Sequence, residues 1–98
     1  MPDTLTPAER EAALAGLDGW IYDPAASAIR RDFRFPGFSE AFAFMTRVAL
    51  LAERADHHPE LWNAYGRVRV TLSTHSAGGL TRKDTEMAAR IDGLLQGS

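Results

Sequence analysis

Hydrophobic and polar positions recur with two different periods along this chain, and the changes between them lay out its elements. Over Ala28 to Phe35 the period is two. Ile29, Phe33 and Phe35 share a face with Arg31, while Arg30, Asp32 and Arg34 take the other, as in a half-buried strand. The same period returns from Arg67 to His75. Val68, Val70, Leu72 and Thr74 face one way, and Arg69, Thr71, Ser73 and His75 the other, which predicts a strand ending with His75 on its polar face. Between the two, from Ser39 to about Asp56, the spacing is helical. Phe38, Ala41, Phe42, Met45, Ala49 and Ala52 form one stripe, and Phe44, Val48, Leu51 and Ala55 a second beside it. Together they cover more than the ~100° arc of a one-sided surface helix. Either this helix is deeply buried, or it packs a sheet on one side and a partner subunit on the other; the short chain favours the second.

Local chemistry places the remaining boundaries. Thr6-Pro7-Ala8-Glu9 carries a cap, a proline suited to the first helical position and a capping-box glutamate, and Leu14 and Leu17 give that helix a sparse stripe before Gly16 and Gly19 end it. Trp20 to Asp23 reads as a short strand and Pro24 to Ser27 as a turn. Pro36-Gly37 breaks the chain, after which Ser39 can cap the central helix, with Phe38 just before it. Leu61 to Tyr65 reads as a strand, with Gly66 supplying the positive φ of a tight turn. Thr81 and Asp84 open a last helix whose core stripe is Met87, Ala88, Ile91, Leu94 and Leu95, and Gly97-Ser98 reads as a frayed end. The order is helix, two strands, helix, two strands, helix. This predicts an α+β fold: a four-stranded, mostly antiparallel sheet with helices packed on one face. The other face would carry Arg30, Asp32, Arg34, Arg69, Thr71 and His75.

Length and composition narrow the function classes. The chain has 98 residues, the size of one domain spanning 1–98, and no cysteine, so neither a disulfide frame nor a thiolate metal site is available. A net charge of −2 argues against nucleic-acid binding through bulk positive charge. No apolar run approaches the ~20 residues of a membrane span, and the acidic start Met1-Pro2-Asp3-Thr4 is unlike a signal peptide. The expectation is a soluble cytoplasmic protein.

The densest candidate chemistry is Glu53-Arg54-Ala55-Asp56-His57-His58-Pro59, with His75 as the third histidine. Imidazole titrates near neutrality and can give and take a proton there. Glu53 and His57 are four apart, so a continuing helix would pair them. Asp56 falls on the apolar side of the wheel and belongs where the helix is ending, while Pro59 pushes His58 out of helical geometry. A lone His-His pair also suits an ordinary helix C-terminus, where cations are favoured. Three histidines and a carboxylate are adequate zinc ligands, yet an adjacent pair lacks the spacing that aims two ligands from a helix at one ion. Trp20 reads either as core or as a stacking wall for a flat heterocycle. Arg67 and Arg69 could bind an anion or simply line a solvated strand face, and Asp84 is most simply a helix-start residue.

In combination these residues resemble a known family. The run Glu53-x-x-Asp56-His57-His58-Pro59-Glu60, then Asn63-x-Tyr65, then Thr71-Leu72-Ser73-Thr74-His75, then Gly79-Leu80-Thr81-x-x-Asp84 resembles the pterin-4a-carbinolamine dehydratase signature, as do Gly19-Trp20, Ala41 to Ala49 and Ile91-Asp92. Leu61, where relatives commonly have tryptophan, and Gly66, where they commonly have asparagine, depart from it. The resemblance implies dehydration of a 4a-hydroxytetrahydropterin to the quinonoid dihydropterin, which recycles the pterin cofactor of aromatic amino-acid hydroxylases. It implies His57, His58 and His75 as catalytic and binding histidines and a homodimer or homotetramer, with a pterin as substrate and no metal or organic cofactor. Under it, His57 paired with Glu53 would exchange a proton with N5 and His75 would assist loss of the hydroxyl, or the reverse. His58 would position the ring, Trp20 would wall it in, and Asp56, Pro59, Thr74 and Asp84 would contribute to binding. The alternative the resemblance carries is a non-catalytic role: relatives in animals partner a homeodomain transcription factor, and some bacterial ones are similar to assembly factors.

Overall fold

The computed structural model describes residues 4–95. Its elements are α1 (Pro7–Ala15), β1 (Ile21–Asp23), β2 (Ala28–Arg34), α2 (Phe38–Ala55), β3 (Glu60–Ala64), β4 (Arg67–Leu72), a 3-10 turn (His75–Ala77) and α3 (Arg82–Gly93). The strands form one antiparallel sheet in the order β1-β2-β4-β3. This is the expected α+β arrangement in the expected element order. The ends at Met1-Pro2-Asp3 and Gly97-Ser98 lie outside the described residues.

Alternation along the two long strands sorts the sheet into two faces. Ile29, Phe33, Val68, Val70 and Leu72 are buried against Phe44 and Val48 of α2 and Met87, Ala88 and Ile91 of α3. The opposite face carries Arg30, Asp32, Arg69 and Thr71, as the pattern predicts. Two capping boxes fix helix starts: Thr6 with Glu9, and Thr81 with Asp84.

Four sequence expectations need correction. Ser39 does not cap α2, because the helix already begins at Phe38 and its N-cap is Gly37, without a side-chain bond. The Phe44/Val48 stripe, one of the two sides of α2 left open to a partner subunit, is core of the single chain: Val48 is 0% exposed and Leu51 packs against the same cluster. The apolar residues of α2 that do face outward include Phe38 and Phe42, whose rings meet at a tilt with centroids 5.8 Å apart. In the β3–β4 turn the positive φ falls on Tyr65 (52°) and not on Gly66. Gly66 is there for close approach, since a Cβ at that position would collide with the carbonyl oxygen of Phe35. Finally, β4 stops at Leu72, so His75 opens the 3-10 turn instead of ending a strand.

Candidate active site

The break after α2 builds the site. Asp56 caps the helix in the left-handed conformation (φ 52°, ψ 44°), a geometry that short polar side chains tolerate better than most. The chain turns there, and the two histidines that follow diverge. His57 Nε2 lies 2.6 Å from Oδ1 of Asp84, and His58 Nε2 lies 2.7 Å from Oε1 of Glu53. The Glu53–His57 pair expected from an i, i+4 helix is therefore not formed. The helix has ended, and Glu53 holds His58 while Asp84 holds His57.

Asp84 is more than a capping residue. It is 0% exposed. Its Oδ2 accepts from the backbone N–H of Thr81 at 2.9 Å and from the hydroxyl of Thr74 at 2.8 Å. The Thr81 hydroxyl lies a further 2.8 Å from that of Thr74 and completes the chain of donors. The carboxylate is the acceptor in both of these Oδ2 bonds. Asp84 engages Nε2 of the His57 ring and not Nδ1. The His57 side chain is 12% exposed, against 57% for His58.

The clefts divide the histidines in the same way. His58 and His75 line one cleft of about 60 Å³ with Glu60, Thr71 and Ser73. Its rim at the β1–β2 turn is fastened to the end of β4 by the Ser73 hydroxyl, which donates to the carbonyl of Ser27 at 3.0 Å. His57 lines a second cleft of about 240 Å³ with Lys83, Glu86 and Met87 of α3. A third cleft, about 330 Å³, continues from the first across the open sheet face, sharing Ala26, Glu60 and Thr71 with it.

The other expected site residues take varied places. Pro59 is half-buried and carries the chain from His58 into β3, and Asp56 is exposed at the bend. Thr74 is buried and serves Asp84. Trp20 lies in the core at 4% exposure, edge-on to Phe33, with its indole N–H donated to both oxygens of Asp92 at 3.0 Å. A ring so enclosed offers no open face for stacking, so the wall expected from it is not found there. Thr71, Ser73 and Glu60 were not singled out as site residues. Their signal was the polar phase of two alternating strands, ordinarily a solvated surface. Among the described residues no group of three or more His, Asp or Glu side chains converges as a metal site would require.

Comparisons with known proteins agree with the fold and with the resemblance. Residues 3–94 match the family model described as Pterin 4 alpha carbinolamine dehydratase. A Rhizorhabdus wittichii protein named "Putative pterin-4-alpha-carbinolamine dehydratase" is 53% identical over 94 residues, covering 96% of this chain and 97% of its own. A Burkholderia cenocepacia protein of the same name is 55% identical over 89 residues, covering 91% and 87%. The crystal structure of a transcriptional coactivator/pterin dehydratase from Brucella melitensis matches with a TM-score of 0.90 at 49% identity, over 94% of this chain and 98% of that one. A pterin dehydratase-like protein identified as a RuBisCO assembly factor in the alpha-carboxysome matches with a TM-score of 0.68 at 25% identity, over 82% and 93%.

Proposed function

Because this chain belongs to the pterin 4 alpha carbinolamine dehydratase family, we propose that it dehydrates a 4a-hydroxytetrahydropterin to the quinonoid dihydropterin and water. The reaction breaks the C4a–O bond, removes the proton from N5 and forms the C4a–N5 double bond. Hydroxide is a poor leaving group, so its oxygen must receive a proton as it departs, and both transfers suit imidazoles near neutral pH. In this reading the reacting edge of the ring lies at the His57–His58 step between the two clefts, where His75 protonates the departing hydroxyl and His57, oriented by Asp84, exchanges the N5 proton, or the two divide these roles the other way. His58 shares a cleft with His75 and positions the ring. The pterin is the substrate and the chemistry needs no resident metal or organic cofactor. The setting we propose is cytoplasmic, as a homo-oligomer that serves an aromatic amino-acid hydroxylase. Among the described residues no helix is long and apolar enough to cross a membrane.

The observation that carries this reading is the buried Asp84 aimed at His57, next in sequence to a cleft shared by His58 and His75. A second reading, assembly or coactivation without catalysis, draws on the names of the two structural relatives. The two readings part at the histidines, since a scaffold has no need of an oriented imidazole. Carbinolamine dehydration accelerated by the wild type and lost in the His57→Ala/His75→Ala double variant supports the enzyme. A folded wild type that does not accelerate it supports the scaffold.

A further inference from the structure

His57 lines a cleft separate from the one that His58 and His75 share. Ala55, the last residue of α2, and Met87, which is 2% exposed, give this cleft its apolar part. Lys83, Glu86 and Arg90 give it its charge. These belong to one stripe of α3, because positions 83, 86, 87 and 90 follow each other at spacings of three, one and three and so share a helix face. The His57 ring borders that stripe from outside α3 and is fixed by Asp84, 2.6 Å from its Nε2.

The charge in this cleft is not balanced. Arg30, Arg31, Arg67, Arg69 and Arg82 each have a carboxylate oxygen within 4.0 Å. Among the described residues no carboxylate comes that near to Lys83 or Arg90. Glu86, the acidic residue of the cleft, is engaged by Arg82, whose Nη2 lies 3.7 Å from its Oε1. A single exposed cation without a partner is ordinary. Two on one helix face, lining a cavity that also holds an anchored histidine ring, make a set of donors for an anion. Lysine offers a point charge and arginine a planar fork, and a phosphoryl group has three acceptor oxygens to receive such donors. At about 240 Å³ the cleft is smaller than the ~300–1,000 Å³ that encloses a drug-sized ligand, so it suits a small one.

We infer that Lys83, Arg90 and His57 form a phosphoryl-binding site in the α3 cleft, for free phosphate or for a phosphate monoester whose short carbon chain packs on Ala55 and Met87. The site shares His57 with the proposed reaction, yet its existence does not depend on turnover. Its occupant sets a negative charge beside that ring, on the side of the chain that α3 provides.

Titration of the wild-type chain with inorganic phosphate and with glycerol 3-phosphate, at an ionic strength held constant with sodium chloride, tests this. The readout is the ring-proton NMR signals of the three histidines, those of His57 being identified by their loss in His57→Ala. The His57 signals are expected to shift saturably at millimolar ligand. Lys83→Gln and Arg90→Gln should each weaken that binding about tenfold, the scale of one lost charge-assisted hydrogen bond. Arg34→Gln, at the end of β2, should leave it unchanged. All three positions are exposed, so none of these substitutions disturbs the core. Tighter binding of glycerol 3-phosphate assigns the site to a monoester, and equal binding of the two probes assigns it to phosphate itself. No saturable His57 shift with either probe, a binding curve unchanged in both Lys83→Gln and Arg90→Gln, or an equal weakening by Arg34→Gln overturns the inference.

Discussion

Nε2 of His57 sits 2.6 Å from Oδ1 of Asp84, a contact between residues 27 positions apart that joins the end of α2 to the first turn of α3. The same carboxylate caps α3 and binds Thr74, so one buried group fixes a helix start, the end of the β4 segment and the ring of a candidate catalytic histidine.

Asp84→Ala should therefore lower both stability and activity. It leaves the Thr81 N–H, the Thr74 hydroxyl and the His57 N–H without their acceptor. Loss of a cap and of buried hydrogen bonds costs about 2–3 kcal/mol, readable by urea unfolding. Asp84→Asn keeps the shape and should be milder in stability, yet it no longer offers a carboxylate to His57. Its dehydration rate should fall although the fold is kept. An unchanged rate would separate Asp84 from the proton-transfer step.

Proton transfer shared by two rings should make the histidine substitutions non-additive. One general acid or base typically contributes roughly 10²–10⁴-fold. The substrate also dehydrates spontaneously, which sets a floor under every variant. His57→Ala and His75→Ala should each lose much of the catalysis, and the double variant should lose less than the product of the two factors. His58→Ala should raise KM more than it lowers kcat. Circular dichroism establishes that each variant is folded before its kinetics are compared.

How much of this was legible in the sequence differs between the fold and the site. Alternation in β2 and β4 and the two capping boxes carry local signals, and the fold follows from them. The pairing of Asp84 with His57 has none, because it is made across the sequence only after α3 has docked. The i, i+4 rule pointed Glu53 at His57, and it failed because Asp56 ends the helix one residue too early. The wide apolar arc of α2 was misread in part: its Val48 side is covered within the chain, and periodicity alone does not say what covers a stripe. Gly66 was read as a conformational glycine. Only the packing of Phe35 beside it reveals a steric one.

That correction gives a stability prediction. Gly66→Ala places a methyl group against the Phe35 carbonyl, where the Phe35 N–H also donates to the Gly66 carbonyl at 2.7 Å. We expect a loss of about 2 kcal/mol, or roughly 10 °C in Tm for a chain of this size. A Tm within a degree or two of wild type would mean that the turn yields freely.

The two sides of α2 should respond differently to charge. Val48→Glu buries an unpaired carboxylate in the core and should unfold the chain. Phe42→Glu, at a position 56% exposed, should leave the circular dichroism spectrum intact and shift any oligomer held by that face towards monomer on size-exclusion chromatography. A folded Val48→Glu variant contradicts the packing described here.

Asp32 supplies the pH dependence. A hydrogen bond from Arg69, aided by the charges of Arg69, Arg67 and Arg30, holds its carboxyl below the usual value, against a smaller opposing effect of burial. A depressed folded-state pKa stabilises above the unfolded value, near 4, and that contribution is lost as pH falls through the folded one. Asp32→Asn should thus flatten acid unfolding below about pH 4, with a small loss of stability at neutral pH, limited by solvent screening, that disappears in acid. Equal acid midpoints for the two proteins would remove the pair from the stability account.

The central claim, that this chain is a working dehydratase, is tested most directly by one progress curve. An aromatic amino-acid hydroxylase generates the 4a-carbinolamine, and its ultraviolet decay is followed with and without the wild-type protein after dialysis against a strong chelator. The account predicts decay well above the spontaneous rate, in proportion to protein added and unchanged by the dialysis. Decay at the spontaneous rate, from protein shown to be folded, would contradict it.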